Sequence, residues 1–167
     1  VRPGNLSPAA AAEQASSDGV AASDEVVAAV VRGEEKAVLA WLDSGGRVNA
    51  TEGGDAGGFT LLMLAANHGH EQVVDTLLRH GAEIDQQTSN SWTALMIAAD
   101  NHQPAVVRRL LRAGANSTVR HRNGFNALQF AKECADCVRA LEDATEAEAA
   151  RRGEALLAEI EAEEAAK

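Results

Sequence analysis

Tyrosine is absent from this 167-residue chain, and two tryptophans and three phenylalanines supply all of its aromatic bulk. A core built around large rings is thereby excluded. The apolar content is Ala, Leu and Val instead, which suits thin helices packed closely. Cysteine is limited to Cys134 and Cys137. Three residues apart, they cannot staple a fold, and a reduced, intracellular setting, cytoplasmic or nuclear, is the simpler expectation. No apolar run approaches the length of about 18 residues that a membrane helix needs, which argues against membrane insertion. The chain also lacks a start methionine and a charged-then-apolar signal pattern, and it is read as a fragment or trimmed product. Positive charge is scarce where it would matter. The net charge is −10, but residues 142–167 hold nine acids against three bases and residues 1–25 four against one. Residues 26–141, with twelve acids and eleven bases, are nearly neutral. No concentrated positive face is left to hold phosphates, which argues against nucleic acid as a partner class.

What the chain has is a period. Displaced by 33 residues, Thr60 falls on Thr93 and Asn126, Leu62 on Leu95 and Leu128, Ala65 on Ala98 and Ala131, and Gly81 on Gly114. Self-similarity at that spacing marks a stacked array. The best-formed unit is Ser91 to Gly114. Thr93 is a good N-cap for a short apolar helix carrying Leu95, Ile97, Ala98 and Ala99. Pro104 suits the first turn of a second helix, where Val106, Val107, Leu110 and Leu111 recur at helical spacing and Gly114 supplies a left-handed stop. An earlier copy starts at Ser23 or Asp24 with an offset of 36, so three extra residues fall in the connection TEGGDAGG, Thr51 to Gly58, expected to be the most flexible of the array. A fourth copy begins GFNALQFAKE and then loses two residues, which sets Cys137 where Val106 sits.

The segments TLLMLAANHGH at Thr60 and TALMIAADNHQ at Thr93, each followed by VV..LL..GA, resemble the ankyrin repeat over residues 26–141. The resemblance implies an all-α repeat solenoid of stacked helix–loop–helix units with hairpin-like finger loops. Its divisions are a disordered or weakly ordered leader over 1–22, an array over 23–141 (units 23–57, 58–90, 91–123 and 124–141) and an acidic Ala/Glu-rich helix over 142–167. The first and last units read as degenerate caps, as terminal repeats do. In the last helix Gly153 is expected to be an interruption, and Leu156, Leu157 and Ile160 are too few for a coiled coil. The implied function is a monomeric, non-catalytic module that binds a protein partner through fingers and concave face. A regulatory or spacer segment of a larger multidomain enzyme or channel is the alternative.

Phe59, Trp92 and Phe125 share one position, immediately before the helix cap, at 33-residue intervals. Two readings stand: a binding ladder along one edge, since aromatics are enriched at hot spots, or rings that only cover their own fingers. The contact positions of the family carry over to Ser89, Asn90, Arg122 and Asn123 on the fingers, and to Asn67, His68, Asp100, Asn101, Lys132 and Glu133 at the ends of the first helices. The TPLH segment of the family reads TLLM, TALM and NALQ here, so the His that ties neighbouring repeats is missing, and Met63 and Met96 must substitute by packing. Arg108, Arg109 and Arg112 form either a solvated face or an acid-binding patch, with the acidic tail as one target. Cys134 and Cys137 suggest half a zinc site or a redox pair, but no second ligand pair has suitable spacing and the bland reading is a buried small hydrophobe. No nucleophile elbow, phosphate loop or Ser/His/Asp arrangement is recognisable. Catalytic residues, metal ligands and cofactors are therefore not expected.

Overall fold

A computed structural model describes residues 21–54 and 57–166. Most of the leader expected over 1–22 and two residues of the long connection, Asp55 and Ala56, lie outside the described residues. Among the described residues eight α-helices follow in order: α1 Asp24–Arg32, α2 Glu35–Asp43, α3 Leu61–His68, α4 Glu71–Arg79, α5 Ala94–Asp100, α6 Pro104–Arg112, α7 Ala127–Phe130 and α8 Ala135–Ala165. Odd helices up to α7 are the first of each unit and even ones the second. Firsts stack on firsts, seconds on seconds, and the opening turns of α8 take the second-helix place of the fourth unit.

Local signals set the starts. The hydroxyls of Thr60 and Thr93 accept the amides of Met63 and Met96 at 3.2 and 3.3 Å. Asn126 closes a reciprocal capping box with Gln129. Each satisfies an amide that the helix cannot pair internally. Pro104 stands in the first turn of α6, where its missing N–H leaves no gap.

Close stacking rests on small side chains. Ala65, Ala98 and Ala131, one column of the repeat, are each at 0% exposure. An alanine there lets first helices approach without leaving voids. Met63 and Met96 are buried beside them, in the role the missing histidine left open. The polar ties between units come from elsewhere. Asn49 accepts the amide of Glu83 at 2.9 Å and Asp85 that of Asn116 at 2.8 Å. On the second helices, Thr76 donates to Glu35 at 2.9 Å, and Arg109 of α6 holds both Glu71, at 2.8 Å, and Asp75 of α4. The chain thus has a polar network across its seams despite lacking the residue that usually builds one.

The first seam is closed by a glycine. Gly33 has φ +74°, a left-handed conformation that ends α1, and a Cβ there would collide with the ring of His70. That ring reaches back across the seam to the carbonyl of Val31 at 2.8 Å. Gly69, φ +73°, makes the same room for Gln103 of the third unit. The third unit has His102 at this position and takes φ +57° without the licence of glycine.

Three expectations need correction. Ala21 and Ala22 are not part of a loose leader: Ala22 is buried and its amide donates to Thr51 at 2.9 Å. The acidic helix is not a separate element, because α8 runs without a break from Ala135 through Gly153 to Ala165. One glycine costs about 1 kcal/mol relative to alanine, and the flanking Ala and Glu residues outweigh it. The cysteines are not a free pair. Cys134 and Cys137 are joined by a disulfide, although Cys137 is also the fully buried small side chain that its alignment with Val106 implies.

Candidate functional site

The fingers are built by one repeated hydrogen bond. Glu52, Thr88 and His121 each donate a backbone amide to the carbonyl of Phe59, Trp92 and Phe125, at 2.9, 3.0 and 2.8 Å. Each aromatic therefore stands at the foot of its finger. Neighbouring fingers are tied in turn, Ser89 N to Gly57 O at 3.0 Å and Arg122 N to Asn90 O at 3.2 Å.

The three equivalent rings do not share one environment. Phe59 is 38% exposed and Phe125 45%, whereas Trp92 is half-buried. Its ring lies 4.6 Å from His121 and 4.7 Å from Phe130, both of the following seam, and Phe125 reaches the same cluster at 5.9 Å from Phe130. Tilted and edge contacts at these distances are favourable aromatic geometry. Neither Phe130 nor His121 is among the site residues expected from the sequence, yet Phe130 had a signal. Its column holds Leu64 and Ile97 in the earlier units, so the last unit carries a ring where others carry aliphatics. His121 replaces Thr88 and left no comparable trace; its Nε2 is buried without a hydrogen-bond partner.

The other candidates fall into two groups. Ser89, Asn90, Arg122 and Asn123 are exposed on the fingers, with Arg122 reaching Asn90 Oδ1 at 3.5 Å. His68, Asp100, Asn101, Lys132 and Glu133 are exposed at the far ends of the first helices, and Asn67 is half-buried there. An eight-residue helix such as α3 separates the two groups by about 12 Å. The structure brings the finger residues together with the aromatic feet. It sets the helix-end residues across the width of the first-helix face. A separate open cleft of about 340 Å³ runs past Gly33, Gly69, His70, Gln72 and Arg109. Its one strong cation, Arg109, is already held by Glu71 and Asp75. Arg108 and Arg112 remain exposed on the same helix.

A family model for ankyrin repeats, three copies, matches residues 26–121 and again 62–152. The chain belongs to the ankyrin repeat family. Among curated proteins none matches it. Ankyrin repeats are in general protein–protein interaction modules and are typically non-catalytic. No helix among the described residues of this ankyrin protein is long and apolar enough to cross a membrane. No group of three or more His, Cys, Asp or Glu side chains among them is placed to hold a metal ion.

Proposed function

We propose that this ankyrin array is a monomeric, non-catalytic module that binds a protein partner along its finger feet and the adjoining first-helix face. The observation that carries the reading is the exposure of Phe59 and Phe125 at one repeated position, in an array that buries most other large apolar side chains. Exposed rings are rigid and desolvate readily, which is why such residues dominate binding hot spots. Trp92 stands between them, propped by His121 and Phe130. In this reading it contributes to the surface chiefly by holding the third finger in place. Ser89, Asn90, Arg122 and Asn123 supply polar contacts beside the rings, and Asn67, His68, Asp100, Asn101, Lys132 and Glu133 line the opposite margin.

The test is affinity capture followed by a binding titration of the recovered partner. A Phe59→Ala/Phe125→Ala double variant should lose roughly 2 kcal/mol of affinity or more, about thirty-fold. Its stability should fall by no more than about 1 kcal/mol, because both side chains keep more than a third of their surface in solvent and only Phe125 makes an edge contact, with Phe130. Trp92→Ala is expected to behave differently, with stability falling by about 2 kcal/mol as the cluster with Phe130 and His121 opens. Wild-type affinity in the double variant removes the aromatic surface from consideration. A second reading, an ankyrin spacer within a larger multidomain protein, is favoured by α8, whose residues beyond Leu141 are nearly all exposed.

A further inference from the structure

We propose that Cys134 and Cys137 form a thiol–disulfide exchange site for a low-molecular-weight disulfide, with Cys134 as the sulfur that meets the reagent and Cys137 as the one that resolves. Packing does not call for sulfur at either place. Cys134 is the N-cap of the fourth second helix, the position filled by Glu34, His70 and Gln103 in the other units. Cys137 is three residues on, where Val73 and Val106 serve equally well as buried apolar side chains. The array needs a small hydrophobe at one position, and at the other a residue whose size suits its seam but which need not be sulfur, yet both are cysteine and they are bonded to each other.

The backbone is suited to bonding and unbonding. The two Cα atoms are 5.2 Å apart, inside the range that a disulfide spans without backbone movement. The two sulfurs are unequal. Cys137 has no exposed surface and lies in the core, whereas Cys134 keeps part of its surface in solvent. Cys134 also stands at the positive end of the 31-residue α8, and its sulfur accepts the amide of Cys137 at 3.3 Å. It is the one second-helix N-cap of the array whose side chain makes a capping bond. A helix N-terminus and a donated amide both stabilise negative charge that develops on a sulfur at that place. The ionisable residues nearest in sequence, Lys132, Glu133, Asp136 and Arg139, are all exposed, two of each sign.

In the oxidising direction the Cys134 thiolate attacks one sulfur of glutathione disulfide. A mixed disulfide forms and one glutathione thiolate leaves, taking a proton from solvent. The Cys137 thiolate then attacks the Cys134 sulfur and releases the second glutathione. Two protein thiols have lost two protons and two electrons, and one glutathione disulfide has become two glutathiones.

The full chain is equilibrated anaerobically across a wide range of reduced-to-oxidised glutathione ratios, quenched with acid, alkylated and read by intact mass. Wild type should pass from dithiol to intramolecular disulfide and return when the ratio is reversed. Cys137→Ala should accumulate one glutathione adduct, and Cys134→Ser should stay unmodified under native conditions. Wild type locked in one form across the whole range overturns the proposal, and so does an adduct forming as readily in Cys134→Ser as in Cys137→Ala. Should Cys137→Ala fail to fold, brief alkylation of the reduced wild type decides the roles: Cys134 must react first, and equal rates at the two sulfurs refute the assignment.

Discussion

At the scale of single residues, the repeat shows where a side chain is kept against backbone preference. Gly33 and Gly69 end their helices in the left-handed region at no steric cost, while His102, the equivalent residue of the third unit, adopts φ +57° with a full side chain exposed to solvent. A β-carbon in that region is crowded by the following carbonyl. His102→Gly should therefore stabilise the chain by about 0.5–1 kcal/mol, seen as a higher urea midpoint with an unchanged slope. A lower midpoint would mean that the imidazole makes a stabilising contact that outweighs the strain. The aromatic column teaches the same lesson in another way. Phe59, Trp92 and Phe125 looked alike in the sequence because spacing reports backbone position alone. What separates them is the set of neighbours gathered at the following seam, His121 at the end of the same unit and Phe130 from the next, and of these the period marks only Phe130.

At the scale of elements, the helix starts were the most legible part of the chain. Thr60, Thr93 and Asn126 cap as their chemistry requires, and Pro104 opens α6. Helix ends depending on long-range competition were harder to read. Gly153 breaks nothing, because no alternative conformation of that segment is rewarded by burial. In α8 only Cys137 and Leu141 are buried, while Leu156, Leu157 and Ile160 are 59%, 62% and 46% exposed. Most of the helix is therefore held by propensity and i,i+4 pairs such as Arg152 with Glu148 at 3.0 Å, worth only tenths of a kcal/mol. Truncation after Glu146 should shift the melting temperature by less than about 3 °C. The far-UV circular dichroism should nevertheless fall by the helical signal of the missing residues. A large drop in melting temperature would reveal a contact between the distal helix and the array.

At the scale of the whole molecule, the period made the solenoid and its approximate units readable, since each unit repeats the same capping and apolar positions. The ties between units were much less readable. Arg109 to Glu71 and Asp75, Thr76 to Glu35, and His70 to Val31 join residues 34–41 positions apart, and no local pattern marks such pairs. These ties bear on cooperativity, because the stability of a repeat array is a sum of unit and seam terms. Two tryptophans lie in different units, Trp41 in α2 and Trp92 at the foot of the second finger. Single-tryptophan variants made by Trp41→Phe and Trp92→Phe should give coincident urea transitions if the seams hold the array as one cooperative body. An earlier transition reported by Trp41 would mean that the first unit frays on its own. The seams also give the array a fixed reading order. Gly33 leaves a hollow for His70 and Gly69 one for Gln103, whereas the third unit carries a residue with a side chain, His102, at that place, and the fourth presents only the short Cys134. Exchanging the second and third units would seat Gln103 acceptably on Gly33 but drive His70 into His102. The copies are thus cut to fit their neighbours, like wards in a lock, and repeats that look interchangeable in sequence are not interchangeable in place.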